Sequence, residues 1–176
     1  NPRPIGTSYR ERQIPLVGLN CAVCHTGTVR DSPGGERRVI LGMPAHRFDL
    51  QSYQKFLFAA LGDPGFTADR VIPAIRQINP DFGFLDNIVY KFFVISRTRD
   101  QAAQLARQFT WFEGRPPQGP GRVDTFNPYK VMFGMDLSGD KSVGTADLPS
   151  LFNQKIREGL WLHWDGNNDK VTERNK

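Results

Sequence analysis

The sequence has few cysteines, and this shortage narrows the classes of protein that it can encode. Only two occur among 176 residues, Cys21 and Cys24, so a disulfide-stapled small secreted domain is excluded. No apolar run approaches the roughly 18 residues that a membrane-spanning helix needs, so we expect no membrane span in this chain. Long basic runs are also missing because the arginines are scattered, and we therefore expect no nucleic-acid partner.

The sequence does contain enough apolar material for a folded core. Hydrophobic residues make up 39% of the chain and aromatic residues 11%. A chain of this length buries roughly 70% of its unfolded surface on folding. Lys and Arg total 23 against 18 Asp and Glu, and the resulting net charge of +5 favours acidic partners or anionic surfaces. We expect one globular domain spanning residues 1–176.

Helical periodicity dominates the middle of the chain. Apolar residues spaced three and four apart predict helices over residues 49–62 and 67–78, the second containing Pro73. Two further helices are predicted over residues 82–95 and 100–109. Clear alternating strand patterns are absent, so the sequence predicts a mainly α fold.

A contiguous pentapeptide, Cys21-Ala-Val-Cys24-His25, matches C-x-x-C-H, the attachment sequence of c-type haem. Two thiols three residues apart on a helical turn can reach the two vinyl groups of one porphyrin edge. The adjacent imidazole can then ligate the iron. The sequence therefore predicts one covalent haem c, with Cys21 and Cys24 as attachment residues and His25 as the proximal iron ligand.

Two other chemistries use a C-x-x-C pair, and neither suits this sequence. A structural zinc site needs a second pair of Cys or His residues, which the chain lacks. A thioredoxin-like redox pair normally begins a helix after a strand in a βαβ setting, which the sequence does not predict.

The sixth iron ligand decides whether haem iron transfers electrons or binds small molecules. His46 follows His25 by 21 residues, at the end of a polar loop, and is the main candidate for the distal ligand. Met43 precedes a proline, as axial methionines do in many small cytochromes, and is the weaker alternative because its loop is short. His163 and an open site remain further alternatives.

Beyond the haem motif, the chain divides by composition. Residues 114–121 concentrate Gly and Pro and predict an irregular connection. Residues 123–176, rich in Asp, Asn and Gly, predict short helices and ordered loops. We therefore expect haem-attachment helices over about residues 1–113 and a loop-rich extension over about residues 114–176, which packs on them.

Several blocks of sequence carry a family resemblance. They are VGLNCAVCHTG at 17–27, FDLQ at 48–51, GRVDTFN at 121–127, ADLPSL at 146–151, LWLHWDGNN at 160–168 and ERN at 173–175. Together they resemble the dihaem c-type cytochromes of the cytochrome c peroxidase superfamily, most closely its rubber oxygenase-like branch. The resemblance implies a cytochrome c-like haem domain with long ordered loops. Because the family pairs two haem domains and this chain has one C-x-x-C-H, it is expected to be the first-haem half.

The resemblance also implies roles for particular side chains. The first haem domain of the peroxidases uses a His at a place similar to His46. Trp111, Phe112 and Phe126 are expected to line a distal pocket, with core packing as the alternative. Trp161 and Trp164 lie where the family places the contact between its haem domains, so either could relay electrons or simply pack in the core.

Two acidic segments invite comparison with calcium-binding loops. Residues 136–147 place oxygen ligands partly as an EF-hand does, but Lys141 occupies the position that requires Gly, and Asp147 the position usually held by Glu. Residues 165–169 have similar spacing without a closing carboxylate. Calcium is therefore a weak expectation, and solvated turns are the default.

The expected function is electron transfer by a haem held six-coordinate, as a module of a dihaem cytochrome c peroxidase-like assembly. The alternative is a catalytic haem domain that activates peroxide or dioxygen, so whether the chain is an enzyme stays open. The expected partners are a second haem domain or cytochrome subunit and a redox partner protein. Members of this class assemble haem c outside the cytoplasm, so we expect a periplasmic or other extracytoplasmic location.

Overall fold

The computed structural model describes residues 4–11, 16–162 and 169–174. Over this part of the chain, 42% of the residues are helical and 14% lie in strands, so the fold is mixed α/β. The expectation of a mainly α, cytochrome c-like fold is therefore wrong. The strands contain only three or four residues each, which is too short for an alternating pattern to stand out in the sequence.

Two compact units, interleaved along the chain, make up the described structure. Unit 1 draws on residues 1–49, 119–123 and 146–176, and unit 2 on residues 50–118 and 124–145. Compactness alone does not show that a unit folds independently. A single domain over residues 1–176, divided at about residue 113, therefore stays a prediction.

Unit 1 is built around two antiparallel hairpins. In the first, Thr7 lies opposite Leu19, and in the second, Thr26 lies opposite Leu41. The paired strands are β1 (Thr7–Arg10) with β2 (Leu16–Leu19), and β3 (Thr26–Val29) with β4 (Arg38–Leu41). A 3-10 turn, Cys21–Val23, joins the two hairpins. The haem motif thus sits on a short turn between strands and not on a long helix.

Several further elements are short. They are β5 (Arg122–Asp124), which pairs with β6 (Thr145–Asp147), a 3-10 turn at Lys155–Arg157, and α6 (Val171–Arg174). Residues 113–121 form no regular element, so the predicted irregular connection is confirmed.

Unit 2 contains helices α1 to α5. They are α1 (Leu50–Gly62), α2 (Ala68–Ile78), α3 (Phe84–Val89), α4 (Ile95–Gln108), a 3-10 turn at Thr110–Phe112, and α5 (Asn127–Met132). The first two predicted helices are confirmed. The predicted break between residues 95 and 100 is wrong, because α4 runs through it without interruption. A π-helical segment, Tyr90–Val94, joins α3 to α4.

A small apolar core holds the helices of unit 2. Ile72, Phe82 and Ile95 are buried together, and partly buried side chains, Tyr90 among them, pack around them. The Phe82 and Tyr90 rings meet edge to face, with centroids 5.0 Å apart. Within the described ranges, every helix is too short or too polar to cross a membrane.

Candidate haem-attachment site

Both thiols and the imidazole of the C-x-x-C-H motif are placed by one tight turn. The Asn20 carboxamide caps the turn, since its Oδ1 accepts from the Ala22 N–H at 3.0 Å. The His25 N–H donates to the Cys21 carbonyl oxygen at 3.0 Å and closes the turn. The backbone therefore holds Cys21, Cys24 and His25 within a single turn of the chain.

Two neighbouring segments fix this turn in place. Gly6 has φ +90°, and a Cβ at this position would come within 3 Å of the Val23 backbone, so only glycine lets the first hairpin approach the turn so closely. On the other side, the Gly42 N–H donates to the His25 carbonyl at 2.8 Å, and the Ala45 N–H donates to the Cys24 carbonyl at 2.9 Å. Residues 42–45 are thus bound to the motif itself.

The His25 imidazole is oriented by a distant part of the chain. Its Nδ1 lies 2.7 Å from the carbonyl oxygen of Pro149. A carbonyl oxygen can only accept, so Nδ1 carries the proton and donates it. The neutral ring then has its free lone pair on Nε2. This is the arrangement that metal-ligating histidines commonly show, in which an outer partner fixes the tautomer and ring orientation.

The two thiols differ in their surroundings. Cys21 is exposed and Cys24 is half-buried, and both are free cysteines. Burial, and to a smaller extent the nearby Cys21 thiol, raises the pKa of the Cys24 thiol above its ordinary value. Cys24 is therefore a protonated thiol at neutral pH and not a preformed thiolate, which disfavours a role as a redox-active pair.

The candidate sixth ligands occupy different surroundings within unit 1. Met43 is half-buried beside β3, where a Cβ on Gly27 would come within 2.8 Å of its Cγ and Sδ. His46 is exposed, and its backbone lies against Gly121, where a Cβ would approach its Cα to 3.0 Å. His163 lies outside the described residues. The identity of the distal ligand stays a prediction.

Unit 1 buries little apolar material of its own. Among its described residues, the buried apolar side chains are Ala45, Leu148 and Leu162. Large apolar side chains in both hairpins are exposed, and they are Leu16, Val17, Leu19, Val39 and Leu41. The two hairpins that flank the turn therefore carry apolar side chains that the described residues of unit 1 do not cover.

The aromatic residues expected in a distal pocket belong to unit 2. Trp111 and Phe112 are buried, with ring centroids 4.3 Å apart, and Phe109 continues the stack towards Phe58. Phe126 is partly exposed and its ring lies beside Gly144. Trp111 and Phe112 thus pack in the interior of unit 2, and their role in a distal pocket stays a prediction.

The carboxylates of the calcium-like segment are engaged by protein groups. Asp140 Oδ2 lies 2.6 Å from Lys130 Nζ, and Asp147 Oδ1 lies 2.9 Å from Arg122 Nε. The Asp136 carboxylate accepts from the Ser138 N–H and hydroxyl. In the part of the chain that the structure describes, no three His, Cys, Asp or Glu side chains gather as metal ligands. Residues 165–168 lie outside that part.

A buried polar cluster in unit 2 was missed from the sequence. Asn127 is 0% and Asp124 3% exposed, and the Asp124 carboxylate accepts from the Asn127 side-chain N–H at 2.7 Å. Gln118 Oε1 accepts from the Asp124 N–H, and Gln51 Oε1 from the Gln118 N–H, at 3.1 and 2.8 Å. The polar residues at 121–127 mark the position of this cluster in the sequence. Nothing in the local sequence predicts that the side chains of Asp124 and Asn127 are buried.

Comparisons with known proteins identify no relative of this chain. No protein-family model matches the sequence, and no curated protein or solved structure is significantly similar to it.

Proposed function

We propose that this chain is a covalent haem c-binding redox protein that transfers electrons. The hydrogen bond from His25 Nδ1 to the Pro149 carbonyl carries the proposal, because it leaves Nε2 as the imidazole atom available to a metal. This contact joins residues 124 positions apart, so the fold itself sets the orientation of the imidazole.

The residues at the turn fit the group. Cys21 and Cys24 would hold haem by adding their S–H groups across its two vinyl double bonds, a reaction that needs no oxidant. The protonated state of Cys24 agrees with this addition. His25 would ligate the iron through Nε2. Haem supplies one-electron redox chemistry when it is bound, and the protein tunes that chemistry through the axial ligands and the surrounding polarity.

Electron transfer is favoured over catalysis by the segment that follows β4. Backbone hydrogen bonds from Gly42 and Ala45 hold this segment to His25 and Cys24. The same segment carries Met43 and leads directly to His46, the two candidate sixth ligands. A segment fixed in this way would supply a second iron ligand with little ordering cost, and iron held by two side chains would suit electron transfer.

The wider setting of the protein is part of the same proposal. The resemblance to dihaem cytochrome c peroxidases supports a place beside a second haem domain or cytochrome subunit, with a redox partner protein. Trp161, which is 73% exposed, offers an apolar surface for such a contact. Covalent haem attachment outside the cytoplasm makes the proposed location periplasmic or otherwise extracytoplasmic.

Covalent attachment is tested by expressing the full chain in cells that have the c-type haem maturation machinery. We expect the denatured polypeptide to stain for haem in electrophoresis and its mass to exceed the bare chain by one haem. The double variant Cys21→Ser/Cys24→Ser should lose the stain, whereas the control His46→Ala should keep it. An unstained wild-type band at the bare polypeptide mass would refute the proposal.

A further inference from the structure

A cleft in unit 2 has the features of a small-molecule site. It lies among the C-terminal end of α4, the Thr110–Phe112 turn, α5 and the loop at 135–141, and its volume is about 340 Å³. This volume falls at the lower end of the range for ligand pockets, which start at roughly 300 Å³. The cleft therefore suits a ligand of the size of a single aromatic ring with a short substituent.

Three cationic side chains, Arg107, Arg115 and Lys141, line the cleft. None of them is paired with a carboxylate among the described residues. Arg115 donates to the carbonyl oxygens of Trp111 and Asp140, and its buried Nε has no acceptor. The half-buried guanidinium charge is therefore held rigidly by neutral groups and lacks a compensating anion.

Two acidic side chains, Glu113 and Asp136, also line the cleft and limit the charge of its ligand. Both Asp136 oxygens are occupied, because they accept from the Ser138 N–H at 2.9 Å and the Ser138 hydroxyl at 2.8 Å. These bonds lower the pKa of Asp136, so its charge persists at neutral pH. Three cations against two anions leave a net charge of +1, which matches a monoanion better than a polyphosphate.

An aromatic side chain adjoins the cationic one in this cleft. The Arg115 guanidinium carbon lies 5.4 Å from the centroid of the Trp111 ring. Val131, Met135 and Leu137 add further apolar surface to the lining. A ligand that meets both kinds of surface would carry its negative charge at one end and an apolar body at the other.

We propose that this cleft binds a small monocarboxylate with an aromatic or compact apolar body. The carboxylate is recognised by the positive charge of Arg107, Arg115 and Lys141, and the body packs against the apolar lining beside Trp111. All residues that line the cleft belong to unit 2, whereas the proposed haem-attachment residues belong to unit 1.

The test is calorimetric titration of the full-length holoprotein with phenylacetate and with phenylacetamide, its neutral counterpart of nearly equal shape. We expect phenylacetate to bind at least about tenfold more tightly, a difference of about 1.4 kcal/mol. Lys141→Gln and Arg107→Gln should each weaken phenylacetate binding by about threefold to tenfold, as expected for one partly solvated charge. Both variants should leave the weak binding of phenylacetamide unchanged.

Lys55→Gln is the matched control, because Lys55 is an exposed lysine on α1 that does not line the cleft. It should leave both affinities unchanged. The proposal is overturned if phenylacetate shows no binding up to about 10 mM, well above a millimolar Kd. It is also overturned if the amide binds equally well, or if Lys55→Gln has the same effect as the cleft variants. If binding shifts the haem absorption band and its affinity is the same in Lys141→Gln, the anion binds the iron. That result would refute the proposed cleft site.

Discussion

Replacing Asp124 by Asn should destabilise the protein strongly, although the two side chains have almost the same shape. Asp124 Oδ1 accepts from the N–H groups of Phe126 and Asn127, at 3.0 and 2.9 Å. Its Oδ2 accepts from the Asn127 side-chain N–H at 2.7 Å and the Gly144 N–H at 3.2 Å. A single carboxylate thus joins three positions on two segments of unit 2 through four hydrogen bonds.

The size of the effect follows from the number of donors. An Asn at position 124 has one oxygen and one NH₂ group, so in either orientation two of the four N–H donors would face another donor. Leaving a buried donor unsatisfied costs about 1–3 kcal/mol, and two such donors lower the free energy of unfolding by about 2–6 kcal/mol. That loss is a large part of the roughly 5–15 kcal/mol that keeps a domain folded.

Urea unfolding of the holoprotein, followed by circular dichroism, measures this loss as a lower midpoint at unchanged slope. Asp136→Asn is the matched control, because Asp136 also accepts from a backbone N–H two residues ahead but does so in an exposed position. We expect its midpoint to stay at the wild-type value. A loss below about 1 kcal/mol for Asp124→Asn, or equal losses in the two variants, would refute the reasoning.

The difference in stability between the wild-type protein and Asp124→Asn should also depend on pH. Burial alone would raise the pKa of Asp124, but the hydrogen bonds from Asn127, Phe126 and Gly144 outweigh it and lower that pKa. A depressed folded-state pKa adds stability above the ordinary value of about 3.9, and this stability is lost as the pH falls through the lowered pKa. The difference in unfolding free energy between wild type and Asp124→Asn should therefore be constant near neutrality and shrink below about pH 4.

Two further predictions concern the haem and the partner. We expect His46→Ala to convert a low-spin absorption spectrum to high spin and Met43→Ala to leave it unchanged. The reverse result would assign Met43, and no change in either variant would contradict a sixth ligand from this segment. The exposed side chains of Ile156, Leu160 and Trp161 predict association at micromolar concentration and, in dilute monomeric apoprotein, ready quenching of Trp161 fluorescence. A monodisperse monomer at about 100 μM in sedimentation would contradict the partner surface.

The helices that the sequence predicted correctly are those with a long apolar stripe. α1 and α2 contain 13 and 11 residues, enough for the periodicity to repeat several times. The false break at residues 96–99 coincides with a polar stretch, Ser96 to Arg99. No Gly or Pro occurs between Phe84 and Gln108, so no true stop signal was present. α4 keeps the chain helical through residues 96–99, and the π-helical segment Tyr90–Val94 joins it to α3.

The strands could not be predicted, for a different reason. β2 is exposed at all four positions and β1 at three of four, so neither face is consistently buried. Alternation appears in a sequence only when one face of a strand packs against a core. These strands are therefore specified by pairing and by the close approach at Gly6, and neither feature leaves a periodic pattern.

At the candidate site, the sequence shows the neighbouring residues of the motif but not the contacts that come from distant parts of the chain. Cys21, Cys24 and His25 lie within five consecutive residues, so the haem-attachment hypothesis rests on the residue types and spacing alone. The Pro149 carbonyl that orients His25 is a backbone group far along the chain, and no side-chain pattern marks it. Sequence reasoning could identify the groups that would hold haem but not the contact that sets the imidazole tautomer.

Differences in apolar burial between the two units connect the fold to the proposed cofactor. Unit 2 has its own core around Ile72, Phe82 and Ile95. Unit 1 relies on two-stranded hairpins, which are only marginally stable in water without a packed face. Removing a Leu, Ile or Val side chain from water contributes about 1.5–3 kcal/mol to the free energy of unfolding. Covering the exposed apolar residues of these hairpins would therefore add several kcal/mol to it. A haem joined to Cys21 and Cys24, as proposed, would be attached at the turn between the two hairpins and would stabilise only the folded form, which would couple haem attachment to the stability of unit 1.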